Sequence, residues 1–136
     1  MPRTVIEVDG VGHGTMPIPT AVRIGPLLVT GSISGRSRSD GTVPTEFSDE
    51  VATLYSNIEA VVNAAGLGLD DIAKITFFVR DRAIRDDINE RWLEKFPNPT
   101  DRPARHVVAA DIPPALNVQA EVLAFGHSSP QEPTPT

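Results

Sequence analysis

Two charged residues lie inside segments that otherwise have the pattern of apolar β-strands. Arg105 belongs to the segment RPARHVVAA, and Glu121 interrupts VQAEVLAF near the end of the chain. The planar guanidinium of arginine can bind a small carboxylate through two parallel hydrogen bonds, although an arginine in a strand is more often a solvated edge residue. A carboxylate such as that of Glu121 either pairs with a cation in a structural salt bridge or performs chemistry, and both interpretations stay open.

The alternation of side chains along a strand decides what these two residues have as neighbours. His106 is expected on the face opposite to that of Arg105. Glu121 shares a face with Leu123 and Phe125, so its carboxylate is expected beside apolar side chains.

Other residues with chemically useful side chains lack the spacing that their chemistry needs. Thr30, Ser32 and Ser34 surround Gly31, but no G-x-S-x-G turn is present, so hydroxyls that bond the local backbone are the simpler interpretation. The segment GVGHG lacks the lysine of a phosphate-binding loop.

No metal site is expected, because the chain has no cysteine and its histidines, His13, His106 and His127, have no metal-binding spacing.

The composition is that of one soluble domain. The chain has 136 residues, a net charge of −6 and 40% hydrophobic residues. Its acidic balance argues against binding to nucleic acid or to anionic membranes. The N-terminal segment is not a signal peptide, and no window approaches about 18 consecutive apolar residues, so a cytoplasmic protein is expected.

Hydrophobic periodicity predicts six strands and two helices. The strands are expected at 3–8, Ala21–Ile24, 27–32, Ile72–Val79, Ala104–Ala109 and 116–125. The first helix has its apolar stripe at Val51, Leu54, Tyr55, Ile58, Val61, Val62 and Ala65. Thr45 or Ser48 is expected to cap its start, and Gly66 to end it. The second helix is expected over 82–96, with Ile84, Ile88, Trp92 (or Leu93) and Phe96 as its stripe.

This element order predicts an α+β sandwich of two layers, in which both helices cover one face of a single mixed sheet. The other face has to be hidden by further subunits, so an oligomer is expected. Residues 1–127 form the predicted domain, and the polar, proline-rich segment 128–136 is predicted to be a disordered tail.

Several segments resemble the Rid (YjgF) family of reactive-intermediate deaminases. The resemblance rests on LLVTGSISG, NIEAVVNAAGLGLDDIAKITFFVRD, INERWLEKFP, RPARH and NVQAEVLAF, and it covers about residues 21 to 126. It implies a chorismate-mutase-like fold and a homotrimer with a central β-barrel, with active sites between subunits.

The resemblance also implies a reaction and the residues that perform it. The implied activity is hydrolysis of small enamine or imine carboxylates to a 2-oxo acid and ammonia, without a cofactor. Arg105 would bind the substrate carboxylate, Glu121 would orient the attacking water, and Thr30 with Gly31 would contact the substrate.

The pocket differs from that of the archetypal branch of the Rid family. Members of that branch have a tyrosine near the start of the chain and a cysteine where this chain has Val107. His106 replaces a small residue, and His106 and His13, the latter in the loop GHGTMPIP, are further candidates for contact with the substrate.

Three alternatives remain from the sequence. In the first, the protein is a deaminase of a larger, aminomuconate-type catabolic intermediate. In the second, it binds a small metabolite without turnover. An endoribonuclease, a label that some relatives carry, is the least favoured because the chain is acidic.

Overall fold

A computed structural model describes residues 2–127, and the predicted tail at 128–136 lies outside the described residues. Residues 2–127 form seven strands and two α-helices. In chain order these are β1 Thr4–Ile6, β2 Ala21–Ile24, β3 Leu27–Thr30, β4 Ile33–Ser34, α1 Phe47–Ala64, β5 Ile72–Val79, α2 Arg85–Lys95, β6 Ala104–Ala109 and β7 Val118–Phe125. Short 3₁₀ turns at Leu69–Asp71 and Arg82–Ile84 precede β5 and α2.

All the strands join one mixed sheet. Its order is β1-β2-β3-β7-β5-β6, and β4 also pairs with β7. The pair β5–β6 is parallel, as expected for two strands connected through α2, and the other strand pairs are antiparallel. The edge strand β6 carries Arg105, and β7, which carries Glu121, lies inside the sheet.

Helix α1 covers the sheet with the predicted stripe. Every residue of that stripe is buried. The helix ends as predicted, with Gly66 at a φ of 82° that a side-chain-bearing residue rarely adopts. The buried guanidinium of Arg23 donates to the carbonyl of Ala65 over 2.6 Å, which satisfies an orphan acceptor at the C-terminal end of the helix. The predicted cap at Thr45 or Ser48 is wrong, because Glu46 occupies the cap position and makes no side-chain cap bond.

Two polar residues of α1 are also buried, and they fix the sheet beneath the helix. The carboxylate of Glu50 accepts hydrogen bonds from the backbone N–H of Asn117 (2.9 Å) and from its side-chain amide (2.7 Å). The amide of Asn57 donates to the carbonyls of Ser34 and Arg36. These bonds tie α1 to the start of β7 and to the segment after β4.

The strand predicted over 27–32 is two residues too long, because β3 ends at Thr30. Val29 pairs with Leu123 and Ile33 pairs with Ala120, so residues 30–32 oppose only residues 121–122. One extra residue on one side is a β-bulge, which separates β3 from β4. Smaller differences are that β1 and β7 are shorter than expected and that α2 begins after a 3₁₀ turn. On α2, Trp92 is buried and Leu93 is exposed.

The two faces of the sheet have different surroundings, as predicted. Alternate positions of β7, namely Val118, Ala120, Val122 and Ala124, are buried against the helices. The other face, which we call the open face, has no cover within the described chain. It carries the exposed apolar side chains Val5, Ile24, Val29, Leu123 and Phe125. In residues 2–127 no helix is long and apolar enough to cross a membrane.

Candidate functional site

Arg105 lies on the helix-covered side of the edge strand β6. It is in register with the buried residue Ile75 of β5, and its guanidinium carbon lies 5.1 Å from the centre of the Trp92 ring. This distance defines a cation–π contact. Within residues 2–127 no hydrogen bond or ion pair of Arg105 is found, so the N–H donors at its rim remain available for a carboxylate.

Tyr55 lies near Arg105 in the core. Its hydroxyl donates to the carbonyl of Ile88 over 3.3 Å, and its ring meets Phe77 at 5.7 Å. Burial raises the pKa of Tyr55 well above its ordinary value, whereas the positive charge of Arg105 acts in the opposite direction. The core position predicted for Tyr55 is confirmed.

Glu121 lies on the open face, where the sequence pattern puts it, with Leu123 beside it on the strand. The side chain is exposed and forms no ion pair with another described residue. On the side of β3 and β4 it faces the bulge at 30–32, and on the side of β5 it pairs with Thr76. An exposed, unpaired carboxylate beside a backbone irregularity can hold a water molecule.

A single chain does not bring Arg105 and Glu121 together. The two residues lie on opposite faces, and β5 separates their strands, so about 10 Å of sheet lies between them in addition to its thickness. A structural salt bridge between them within one chain is therefore excluded. His106, in contrast, shares the open face with Glu121, because both residues pair with Thr76.

The side chain of Thr30 has a structural task. Its hydroxyl accepts a hydrogen bond from the backbone N–H of Val122 (2.9 Å) and donates to the carbonyl of Gly31 (2.7 Å). The bulge would otherwise leave the N–H of Val122 without its ladder partner. Thr30 is buried on the helix side, so its predicted contact with a substrate stays a prediction.

Gly31, which lies in the bulge, is adjacent to His13. A side chain at Gly31 would begin 3.3 Å from Nε2 of His13. That nitrogen is buried and has no hydrogen-bond partner within the described part of the chain. The loop that carries His13 is held in place because the carboxylate of Glu7 accepts from Thr20, and the carbonyl of Thr20 accepts from the N–H of Gly31 over 2.9 Å.

His13 lines a cavity of about 350 Å³ beside the bulge. The other side chains with polar groups in its wall are Thr20, Ser32, Ser34, Arg36, Asn57 and Gln119. Gln119 precedes Glu121 by two residues and shares its face. No sequence pattern indicated Arg36 and Gln119, because the segment after β4 and the start of β7 meet only in the folded chain. Among residues 2–127 no cluster of three or more histidine, aspartate or glutamate side chains is arranged to hold a metal ion.

Comparison with known proteins defines the class. Residues 17–126 match the family model described as Endoribonuclease L-PSP, and the chain therefore belongs to this family, which is the Rid (YjgF) family. A 2-iminobutanoate/2-iminopropanoate deaminase of Dermatophagoides farinae is 29% identical over 124 residues, which are 90% of this chain and 95% of the relative. The putative reactive intermediate deaminase TdcF of Escherichia coli K12 is 27% identical and covers 90% and 96%.

Solved structures share the same fold. Escherichia coli TdcF with bound serine has a TM-score of 0.82 at 26% identity and covers 90% of this chain and 98% of that one. The YjgF gene product of Escherichia coli has a TM-score of 0.81 at 25% identity, with the same coverage. The predicted family and the predicted two-layer α+β fold are therefore confirmed.

Proposed function

We propose that this protein is a deaminase of small enamine or imine carboxylates, which it hydrolyses to a 2-oxo acid and ammonia. The names of its relatives support a deaminase in general terms. The observation that carries the proposal is Arg105, a strand arginine with its guanidinium over the ring of Trp92 and no anionic partner within residues 2–127. A small carboxylate is the natural ligand of such a group.

Arg105 binds and orients the substrate in this proposal. Its rim N–H groups hold the carboxylate through two hydrogen bonds, while Trp92 keeps the guanidinium plane fixed. The enamine form tautomerises to the imine, whose carbon then lies next to the bound carboxylate. Fixing both reacting partners supplies most of the rate enhancement, because imines also hydrolyse in free water.

Glu121 prepares the water in the same proposal. Its carboxylate accepts a hydrogen bond from the water and takes up its proton as the oxygen attacks the imine carbon. The C=N double bond becomes a single bond, and the proton returns to the nitrogen. Glu121 then moves the proton of the new hydroxyl group to the nitrogen, the C–N bond breaks with release of ammonia, and the C=O bond of the 2-oxo acid forms. The carbonyl oxygen of Gly31, which has a second lone pair besides the one that accepts from Thr30, contacts the nitrogen. No cofactor takes part in this scheme.

Arg105 and Glu121 act on one substrate only if they come from two copies of the chain. Their placement on opposite faces of the sheet favours a site between subunits. The exposed apolar side chains of the open face support the assembly of further copies around it, and a homotrimer with a central barrel is the form that we propose.

The test is release of ammonia from 2-iminopropanoate that is generated in the assay by an amino acid oxidase. The wild-type protein should accelerate the release over the uncatalysed rate. Glu121→Gln should lose about 100-fold or more of that acceleration, the scale expected for a general base. Glu90→Gln is the matched control, because Glu90 is an exposed residue of α2 and should behave as the wild type. Equal activity of Glu121→Gln and wild type would remove Glu121 from the mechanism.

The same assay decides between the proposal and its alternatives. Saturable binding of pyruvate without any acceleration would establish a metabolite-binding protein instead. An endoribonuclease is disfavoured because the net charge is −6 and the exposed open face carries mainly apolar side chains, whereas RNA binding needs lysine and arginine.

A further inference from the structure

The cavity beside the bulge, which His13 lines, has polar side chains of two kinds. Some are already engaged. The hydroxyl of Thr20 bonds to Glu7 and Val11, and the hydroxyl of Ser34 accepts from the N–H of Arg36. The amide of Asn57 donates to the carbonyls of Ser34 and Arg36. The other side chains, His13, Ser32, Arg36 and Gln119, have polar atoms that no described residue satisfies. Such unused groups around one concave space are typical of a site that binds a polar ligand.

Arg36 determines the charge of this cavity. Within residues 2–127 only Nη1 of its guanidinium is engaged, with the carbonyl of Gly41 over 3.2 Å. No aspartate or glutamate of this described part lines the cavity, although the whole chain is acidic. The neighbouring carboxylates are occupied elsewhere, Glu7 by Thr20 and Glu50 by Asn117. The cavity is therefore rich in hydrogen-bond donors, carries one cation and contains no anion to neutralise it.

The position of the cavity connects it with the proposed reaction. Gln119 precedes Glu121 by two residues on the same face of β7, a separation of about 7 Å. His13 adjoins Gly31 in the bulge that faces Glu121. A substrate whose imine carbon lies at Glu121 can therefore extend a short carbon chain into the cavity.

We propose that this cavity binds a second carboxylate of the substrate, so that the preferred substrates are imines of amino acids with acidic side chains. Arg36 pairs with the distal carboxylate, and Ser32, Gln119 and the ring of His13 complete its hydrogen bonds. This proposal rests on the deaminase function proposed above. The reacting carboxylate is bound by Arg105, and the distal one distinguishes these substrates from simple monocarboxylic imines.

The test compares binding of 2-oxoglutarate and pyruvate, a dicarboxylic and a monocarboxylic product, to the full-length protein by calorimetry. A charge-assisted pair in a half-enclosed site should make 2-oxoglutarate bind about 10- to 100-fold more tightly than pyruvate. Arg36→Met should abolish this difference and leave pyruvate binding unchanged. Gln119→Leu, which leaves all charges intact, should reduce the difference in part.

Arg85→Met is the matched control, because it removes an exposed arginine at the start of α2, away from the cavity. It should preserve the preference. Equal binding of the two acids by the wild type, or equal weakening of both by Arg36→Met, would overturn the proposal.

Turnover separates this proposal from the proposed function. Ammonia release from 2-iminoglutarate and from 2-iminopropanoate is measured with the same variants. Hydrolysis of both imines with equal kcat/KM, together with equal binding of the two oxo acids, would overturn the distal site and leave the deaminase intact. An Arg36-dependent preference in binding, with no hydrolysis of either imine, would support the distal site and overturn the deaminase.

Discussion

The two faces of the sheet come from the same strands but differ in burial and in the chemistry of their side chains. On the helix-covered face of β7, four small or branched apolar side chains are buried against α1 and α2. On the open face the same strand presents Glu121, Leu123 and Phe125, all exposed. Within residues 2–127 the first face is covered by helices, whereas the second has exposed apolar side chains and a carboxylate without an ion-pair partner.

The difference separates the surface that stabilises the domain from the groups that carry the proposed chemistry. The covered face buries the apolar surface that stabilises the domain, and its few polar residues are satisfied within the chain, as Glu50 and Thr30 are. The open face and the sheet edge carry Glu121 and Arg105, which form no ion pair within residues 2–127 and to which the proposed function assigns the reaction. Arg105 lies at the boundary, since its side chain packs on Trp92 at the edge of the covered face.

Truncating one phenylalanine on each face is expected to have the largest effects, on the free energy of unfolding for the covered face and on subunit association for the open face. Phe77 is fully buried against Tyr55, so Phe77→Ala should lower the free energy of unfolding by about 3–5 kcal/mol in chemical denaturation. Phe125 is 53% exposed in the chain, so Phe125→Ala should mainly weaken subunit association. Light scattering at low micromolar concentration should show a smaller mass for this variant. A stable wild-type monomer under the same conditions would contradict the proposed assembly.

A comparable effect is expected where the edge of the covered face meets the substrate. Arg105→Lys keeps the charge but loses the planar fork, so pyruvate should bind about 10- to 100-fold more weakly. The melting temperature should change little, because no hydrogen bond or ion pair of Arg105 is found in residues 2–127. Arg85→Lys serves as the control and should bind like the wild type. Unchanged binding together with a large loss of stability would make Arg105 a structural residue.

Regular periodicity made most of the fold predictable. The stripe of α1, the strand Ile72–Val79, the strand Ala104–Ala109 and the opposite faces of β7 all follow from periods of 3.6 and 2 residues, and the structure agrees. These features depend on residues that are close in sequence. The end of α1 at Gly66 was predictable for the same reason, because it depends on a single residue next to the helix.

Features that depend on distant residues were not predictable. The bulge at 30–32 exists because β7 is already paired on both sides of it, and the hydroxyl of Thr30 then replaces a ladder bond. The cavity that Arg36 and Gln119 line forms only when the segment after β4 folds against the start of β7. The sequence selected Arg105 and Glu121 as chemically unusual, but their placement on opposite faces of one sheet required the strand order.

A moderate effect is expected from the hydroxyl of Thr30. Thr30→Val keeps the shape but leaves the N–H of Val122 unsatisfied, which should cost about 1–3 kcal/mol of stability in chemical denaturation. Thr30→Ser restores the hydroxyl and should recover most of it. If Thr30 acts only on the substrate, Thr30→Val will instead weaken pyruvate binding at unchanged stability.

The smallest effect concerns Tyr55, and it can be read directly because the chain has a single tyrosine. Burial raises the pKa of Tyr55 in the folded protein above the value of about 10 that an unfolded chain shows. The stabilisation that comes from keeping the phenol neutral is therefore complete below about pH 10 and is lost as the pH rises towards the pKa of the folded state. Phenolate absorbance should appear near pH 10 in denaturant, and in the native protein only at higher pH or on unfolding. Arg105→Met removes the opposing positive charge and should move the native titration still higher. Native titration of Tyr55 near pH 10 would show that water reaches the phenol, and would contradict the closed packing of the helix-covered face.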